Sequence, residues 1–193
     1  MVETELGTWR RTHYSKQLDA SMEGSDVTVM GWISSIRGHG NITFLTLVDK
    51  IGSIQVVAKK GESPDELIQS ISKLKEHSSI GLIGTVKTSE KAPNGIEISP
   101  KDLKVFSSVE KIPPFDPHAK TVKKIDTRLE SRAVDLRRRI LQQVFNARSS
   151  VLKSIRQYFY DHDFTEINTP KMIATATEGG AALFPIFYYN KEA

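Results

Sequence analysis

A small five-stranded β-barrel carrying one helix, then a proline-rich hinge and a long amphipathic helix, is the architecture that the sequence predicts. Three observations carry that prediction. Short stretches of alternating apolar residues come as three, then a helical stretch, then two more. Pro113, Pro114 and Pro117 next break the chain. Beyond them, apolar residues recur at three- and four-residue steps, the spacing of one helix face.

The elements follow in order. After a lead that ends near Ser25, VTVMGWISSIRG sets Val27, Val29, Gly31 and Ile33 against Thr28, Met30, Trp32 and Ser34, which is the period of a strand. Gly38-His39-Gly40-Asn41 turns the chain into ITFLTLVD, and Lys50-Ile51-Gly52 turns it into SIQVVAKK, completing a meander. Residues 64–74 show helical spacing at Leu67, Ile68, Ile71 and Leu74, with Ser63 placed as a cap before Pro64. SIGLIGTVKTS and GIEISPKDLKVFS supply two strands around the turn at residues 91–95. Three strands, a helix and two strands is the order of the OB-fold, a barrel that commonly binds oligonucleotides. Residues 1–110 are therefore expected to be that barrel, and residues 111–133 a hinge.

The rest is expected to be the start of a larger domain. From about Asp135 to Asp161, Ile140, Leu141, Val144, Phe145, Val151, Leu152, Ile155, Tyr158 and Phe159 predict one long helix. Glu166 to Ile173 mix β-branched and polar residues around Pro170, which restricts such a strand to a sheet edge or an interface. Residues 174–182 are small apart from Glu178 and predict a loop. Residues 134–193 bury too little surface to stand as a domain by themselves, so the chain reads as a fragment.

Composition narrows the function classes. There is no run apolar enough for a membrane span, and Glu3 and Glu5 do not fit the basic-then-apolar start of a signal peptide. With no cysteine there are neither disulfides nor thiolate metal ligands, which is compatible with the cytoplasm. The five histidines have no metal-ligand spacing. Between Ala119 and Arg156 there are 11 Lys and Arg against 3 Asp and Glu, so a chain of net charge +4 carries +8 there and −4 elsewhere. Such a segment can steer a polyanion, although it also suits a solvated helix face.

Strand parity offers a binding face. If Leu45 and Leu47 point inward, Phe44 and Thr46 point out, and if Ile54 and Val56 point inward, Gln55 points out. Phe44 then offers a ring for stacking and Gln55 a donor and an acceptor for a base edge such as that of uracil. A Phe packed under a loop is the structural alternative.

A long helix, a strand with a proline and a Thr-Glu-Gly-Gly loop resemble motif 1 and the following substrate loop of class II aminoacyl-tRNA synthetases. EINTPKMIATATEGGAALFPI is similar to the archaeal and eukaryotic type of aspartyl-tRNA synthetase, and the resemblance extends back through IDTRLESRAVDLRRR to RTHYS. Asparaginyl-tRNA synthetase is the near neighbour. A tRNA-binding paralogue without catalysis and a general single-stranded nucleic-acid module are the other readings.

The resemblance implies an α+β catalytic domain beginning at motif 1, with motifs 2 and 3 beyond Ala193 and no catalytic residue within this stretch. It implies aspartate activation with ATP and Mg2+ in the full-length enzyme, none of it by this stretch alone, and transfer to aspartate tRNA and in some members asparagine tRNA. Phe44 and Gln55 match positions that hold the middle anticodon base, a uridine, and Arg37 and Glu97 match nearby anticodon contacts. Pro93 and Ser34 match positions that separate tRNA-discriminating from relaxed members: Pro93 fits the relaxed type, Ser34 neither, and a turn proline also needs no function. Glu178 matches the residue that binds the α-ammonium of aspartate, where a lone loop Glu is otherwise solvated surface. Pro170 matches the motif 1 proline at a homodimer contact, or protects an edge strand.

Overall fold

The computed structural model describes residues 4–170 and the backbone of residues 187–188 and 191–192. The chain divides into two compact units, Met1–Arg137 and Arg138–Ala193.

In the first unit the expected barrel is present. Strands β1 (Asp26–His39), β2 (Ile42–Val48), β3 (Ser53–Lys59), β4 (Ser79–Thr88) and β5 (Ile96–Ser107) close in the order β1-β2-β3-β5-β4. All pairings are antiparallel except β3 with β5, a parallel junction of Gln55 with Glu97 and Val56 with Ile98. The inward faces supply Val27, Val29, Ile33, Leu45, Leu47, Ile54, Val56, Ile80, Leu82, Val86 and Ile98, each at most 2% exposed. Burying one such side chain contributes about 1.5–3 kcal/mol. Helix α1 (Asp65–Ser72) adds Leu67 and Ile71 to the same core.

Two glycines answer local demands. Gly40 takes φ +57 in the two-residue turn Gly40–Asn41, which lets β1 run on to His39, one residue further than the sequence suggests. A Cβ on Gly31 would lie 2.3 Å from the Val48 carbonyl oxygen, so only glycine allows β1 and β2 to approach there. The cap expected of Ser63 does not form. Its amide donates to the Lys59 carbonyl and its buried hydroxyl has no hydrogen-bond partner, so α1 starts after Pro64 with no side-chain cap. Asp65 and Glu66 in the first turn favour that end through the helix dipole instead.

The RTHYS segment is a strap across the barrel. Arg11 donates from Nη2 to the Met30 carbonyl, Thr12 exchanges bonds with Thr28, and Ser15 donates from its amide and hydroxyl to the Asp49 carboxylate. Residues 125–135 form two short helices, α2 (Ile125–Glu130) and α3 (Arg132–Asp135). The long helix expected from Asp135 begins instead at Arg139. Asp135 is wholly buried, with Arg128 Nε and Nη2 donating to its oxygens at 2.9 and 3.2 Å and Arg132 Nη1 at 2.5 Å. The helical backbone breaks just beyond, where Arg138 adopts an extended conformation before the next helix.

In the second unit α4 (Arg139–Tyr160) leaves Ile140, Val144, Phe145, Leu152, Ile155 and Phe159 between 44% and 58% exposed, so its apolar stripe lies open. The strand expected over residues 166–173 is absent from its described part. Residues 164–170 are irregular: Glu166 is held to α4 by Arg156 at 3.1 Å and Tyr160 at 2.8 Å, and Phe164 packs edge-on against Phe159. Pro170 closes that stretch and is exposed. Glu178 and its loop lie outside the described residues, and a two-residue antiparallel pair, β6 (Phe187–Tyr188) with β7 (Lys191–Glu192), follows.

Candidate nucleic-acid interface

The outer face of β1, β2, β3, β5 and β4 presents a row of polar and aromatic side chains. Leu45, Leu47, Ile54 and Val56 are buried, so Phe44, Thr46 and Gln55 stand outward as strand alternation predicts, each half-buried. Register aligns them. Ser35 faces Thr46, Thr46 faces Gln55, Gln55 faces Glu97, and Glu97 faces Lys87, while Arg37 and Phe44 form the neighbouring pair.

Arg37 reaches this face through a bulge. Ile33 pairs with Leu47 but Ser35 pairs with Thr46, which leaves Ser34 as the extra residue. Continued odd–even alternation from Val27 and Ile33 would turn Arg37 toward the core. The inserted Ser34 reverses the parity, so Ile36 packs against the core and Arg37 is exposed beside Phe44. The Ser34 hydroxyl donates to the Thr46 carbonyl at 3.4 Å, and the Ser35 and Thr46 hydroxyls lie 3.1 Å apart.

Charge is arranged around the amide of Gln55. Its Nε2 donates to Glu97 Oε2 at 3.3 Å. On the far side of the row, Glu62 accepts from Lys59 at 2.5 Å and Lys87 at 2.6 Å. Those two ammonium groups, Lys59 first, hold the Glu62 carboxyl down to about 2 from an ordinary 4.5. Lys87 is thereby drawn toward Glu62 although its backbone faces Glu97. Sequence reasoning missed Glu62, Lys59 and Lys87. The parity of β4, with Val86 buried, could have placed Lys87 outward, but nothing local places Glu62 between two lysines.

Pro93 is exposed in the β4–β5 turn, which Asn94 ties to β3 by donating to the Ser53 carbonyl at 2.8 Å. Ser34 lies in β1, against Thr46. The structure thus gathers Arg37, Phe44, Gln55 and Glu97 on one face, with Ser34 in the bulge beside Thr46 and Pro93 in the β4–β5 turn. Pro170 belongs to the second unit. Among the described residues no helix is long and apolar enough to cross a membrane.

Comparison with known proteins agrees with both units. A family model described as an OB-fold nucleic acid binding domain matches residues 27–106, and one described as tRNA synthetases class II (D, K and N) matches residues 124–192. The aspartate–tRNA(Asp/Asn) ligase of Methanocaldococcus jannaschii is 47% identical over 185 residues, covering 96% of this chain and 42% of that protein. The enzyme of the same name from Methanothermobacter thermautotrophicus is 46% identical over 188 residues, covering 97% of this chain and 43% of that protein. The crystal structure of asparaginyl-tRNA synthetase from Pyrococcus horikoshii with asparaginyl-adenylate superposes with a TM-score of 0.84 at 25% identity, over 95% of this chain and 42% of that one. The chain spans about two fifths of the length of the curated relatives it matches. Residues 27–106 thus match the OB-fold nucleic acid binding domain and residues 124–192 the start of a catalytic domain of the class II tRNA synthetases (D, K and N), with 46–47% identity to aspartate-type enzymes over nearly the whole chain.

Proposed function

We propose that this chain is the anticodon-reading barrel and the opening of the catalytic domain of an aspartate–tRNA ligase of the cytoplasm. The whole protein would activate aspartate with ATP and magnesium and pass the aspartyl group to the terminal ribose of its tRNA. The observation that carries this reading is the single outward row in which Phe44 and Gln55 stand beside Arg37 and Glu97.

The chemistry of the row suits one unpaired pyrimidine. Phe44 supplies a stacking surface, a contact worth about 1–3 kcal/mol per base. The Gln55 amide presents an acceptor and a remaining N–H to the base edge, and uracil offers the matching donor and acceptor. Arg37 supplies positive charge for the adjoining phosphate. Ser34 and Pro93 adjoin the row where a neighbouring anticodon base would lie, and the name of the Methanocaldococcus jannaschii relative covers both aspartate and asparagine tRNA. We assign both tRNAs to the proposed enzyme.

For the amino acid, Glu178 would supply the counter-charge to the α-ammonium, and Pro170 would lie at the contact between two copies of the chain. Among the described residues no cluster of three or more His, Asp or Glu side chains could hold a metal.

Titration of aspartate tRNA, with its middle anticodon uridine intact or replaced, tests the reading. The chain should prefer the uridine, and Phe44→Ala should weaken binding by about 1–3 kcal/mol. Equal affinity for all middle bases together with an unaffected Phe44→Ala variant would overturn it.

A further inference from the structure

Lys87 is the register partner of one carboxylate and binds another. It stands directly across from Glu97 in the antiparallel pair of β4 and β5, where opposite charges ordinarily meet. The Lys87 ammonium instead donates to Glu62 Oε2 at 2.6 Å, while Glu62 Oε1 takes Lys59 at 2.5 Å. Among the described residues, Gln55 is the hydrogen-bonding partner of the Glu97 carboxylate, at 3.3 Å.

A tight turn places Glu62 for this. Gly61 takes φ +87, and the Lys59 carbonyl accepts from the amides of Glu62 and Ser63 at 3.0 and 2.9 Å, which sets Glu62 just beyond the end of β3. In the barrel order β5 separates β3 from β4. Glu62 therefore joins lysines from two strands that do not pair. An exposed ion pair contributes little to stability, so the consequence of this one lies in where it holds Lys87.

That consequence falls on Gln55. Its 3.3 Å bond to Glu97 is longer than the usual range of about 2.7–3.2 Å. A charge-assisted bond from an ammonium is roughly twice as strong as a neutral one. Lys87, released from Glu62, would reach the partner that its register already gives it and draw Glu97 off the amide. Gln55 would then lose the acceptor that keeps its nitrogen toward β5 and its oxygen outward.

We propose that Glu62 is a positioning residue for base recognition: by holding Lys87 off Glu97, it reserves Glu97 for Gln55. This rests on the reading of Phe44 and Gln55 as the face that takes the middle anticodon base. Glu62 touches no base and acts through Lys87 and Glu97 on the amide that does.

The test compares the 193-residue chain with Glu62→Gln, Lys87→Met and the two combined. Both side chains are solvent-accessible, so the variants should fold. Two quantities are measured: the NMR resonances of the Gln55 side-chain amide in the free chain, and affinity for aspartate tRNA with uridine or cytidine at the middle anticodon position. Glu62→Gln should shift the amide resonances and reduce the uridine preference several-fold, while affinity for the cytidine tRNA should not fall. Lys87→Met alone should keep the wild-type preference, since Lys87 is already away from Glu97. The double variant should restore both resonances and preference, because no ammonium remains to reach Glu97. A preference unchanged in Glu62→Gln, or lost there and not restored by Lys87→Met, would overturn the proposal. Equal losses on both tRNAs, the pattern of a bulk charge effect, would overturn it too. A wild-type chain with no uridine preference would sink the anticodon reading itself, while an amide shift reversed in the double variant would still establish the hold of Glu62 on Lys87. An amide that does not move in Glu62→Gln would overturn that hold whatever the tRNA does.

Discussion

Gln55 donates from its side-chain nitrogen to the Glu97 carboxylate at 3.3 Å, across the parallel junction that closes the barrel. A carboxylate accepts and cannot donate, so it fixes which end of the amide faces β5 and which end faces outward. Under the proposed reading, Glu97 would orient Gln55 for a base that donates to the amide oxygen. Glu97→Gln, which can offer either a donor or an acceptor, should loosen the preference for a middle uridine by about 1 kcal/mol while changing total tRNA affinity little. Gln55→Ala should lose the same preference. Competition titrations with base-substituted tRNAs measure both, and a preference unmoved by Glu97→Gln would show that the carboxylate does not set the amide.

Glu62 should stay ionised far into acid. Its folded pKa, about 2, lies below its ordinary 4.5, so the Lys59 and Lys87 contacts favour the fold above pH 4.5 and fade as pH falls through 2. Carbon-detected NMR titration of the carboxyl should place its midpoint well below that of an isolated Glu. Glu62→Gln should leave the barrel folded, because all three side chains are solvent-accessible. A midpoint near 4.5 would mean that the two lysines do not dwell on it.

Asp135 joins α2 to α3 through two guanidinium groups. Arg128 and then Arg132 hold its carboxyl below the ordinary 3.8. A depressed carboxylate stabilises the fold above its unfolded pKa and loses that effect as pH falls through the folded value. Asp135→Ala leaves two guanidinium groups facing a hole and should cost the first unit about 3 kcal/mol. Urea unfolding at neutral pH and near pH 3 checks this: the gap between wild type and variant should shrink in acid. Equal stability at neutral pH would contradict the anchoring role.

For Glu178 the expectation concerns amino-acid binding alone. In a polypeptide of the relatives' full length, Glu178→Gln should raise the aspartate concentration needed for ATP–pyrophosphate exchange about tenfold or more, a charge-assisted contact being worth about 1.5–3 kcal/mol. Affinity for tRNA should remain near wild type. An unchanged aspartate requirement would return Glu178 to ordinary surface.

The sequence by itself determined the barrel, because each strand writes its own inward face in a period of two and α1 writes its in a period near 3.6. Leu45, Leu47, Ile54 and Val56 could be placed, and with them the outward aspect of Phe44 and Gln55. Three features needed the tertiary structure. The bulge at Ser34, which turns Arg37 out beside Phe44, depends on how β1 registers against β2, and alternation within β1 points the other way. The meeting of Gln55 with Glu97, 42 residues apart, exists only once the barrel closes. The break before α4 lies at the extended backbone of Arg138, next to the buried Asp135 held by Arg128 and Arg132, where apolar periodicity alone would have run the helix through. Periodicity is a property of neighbours along the chain, whereas register, closure and the burial of a charge are settled by partners that the chain brings near only when it folds.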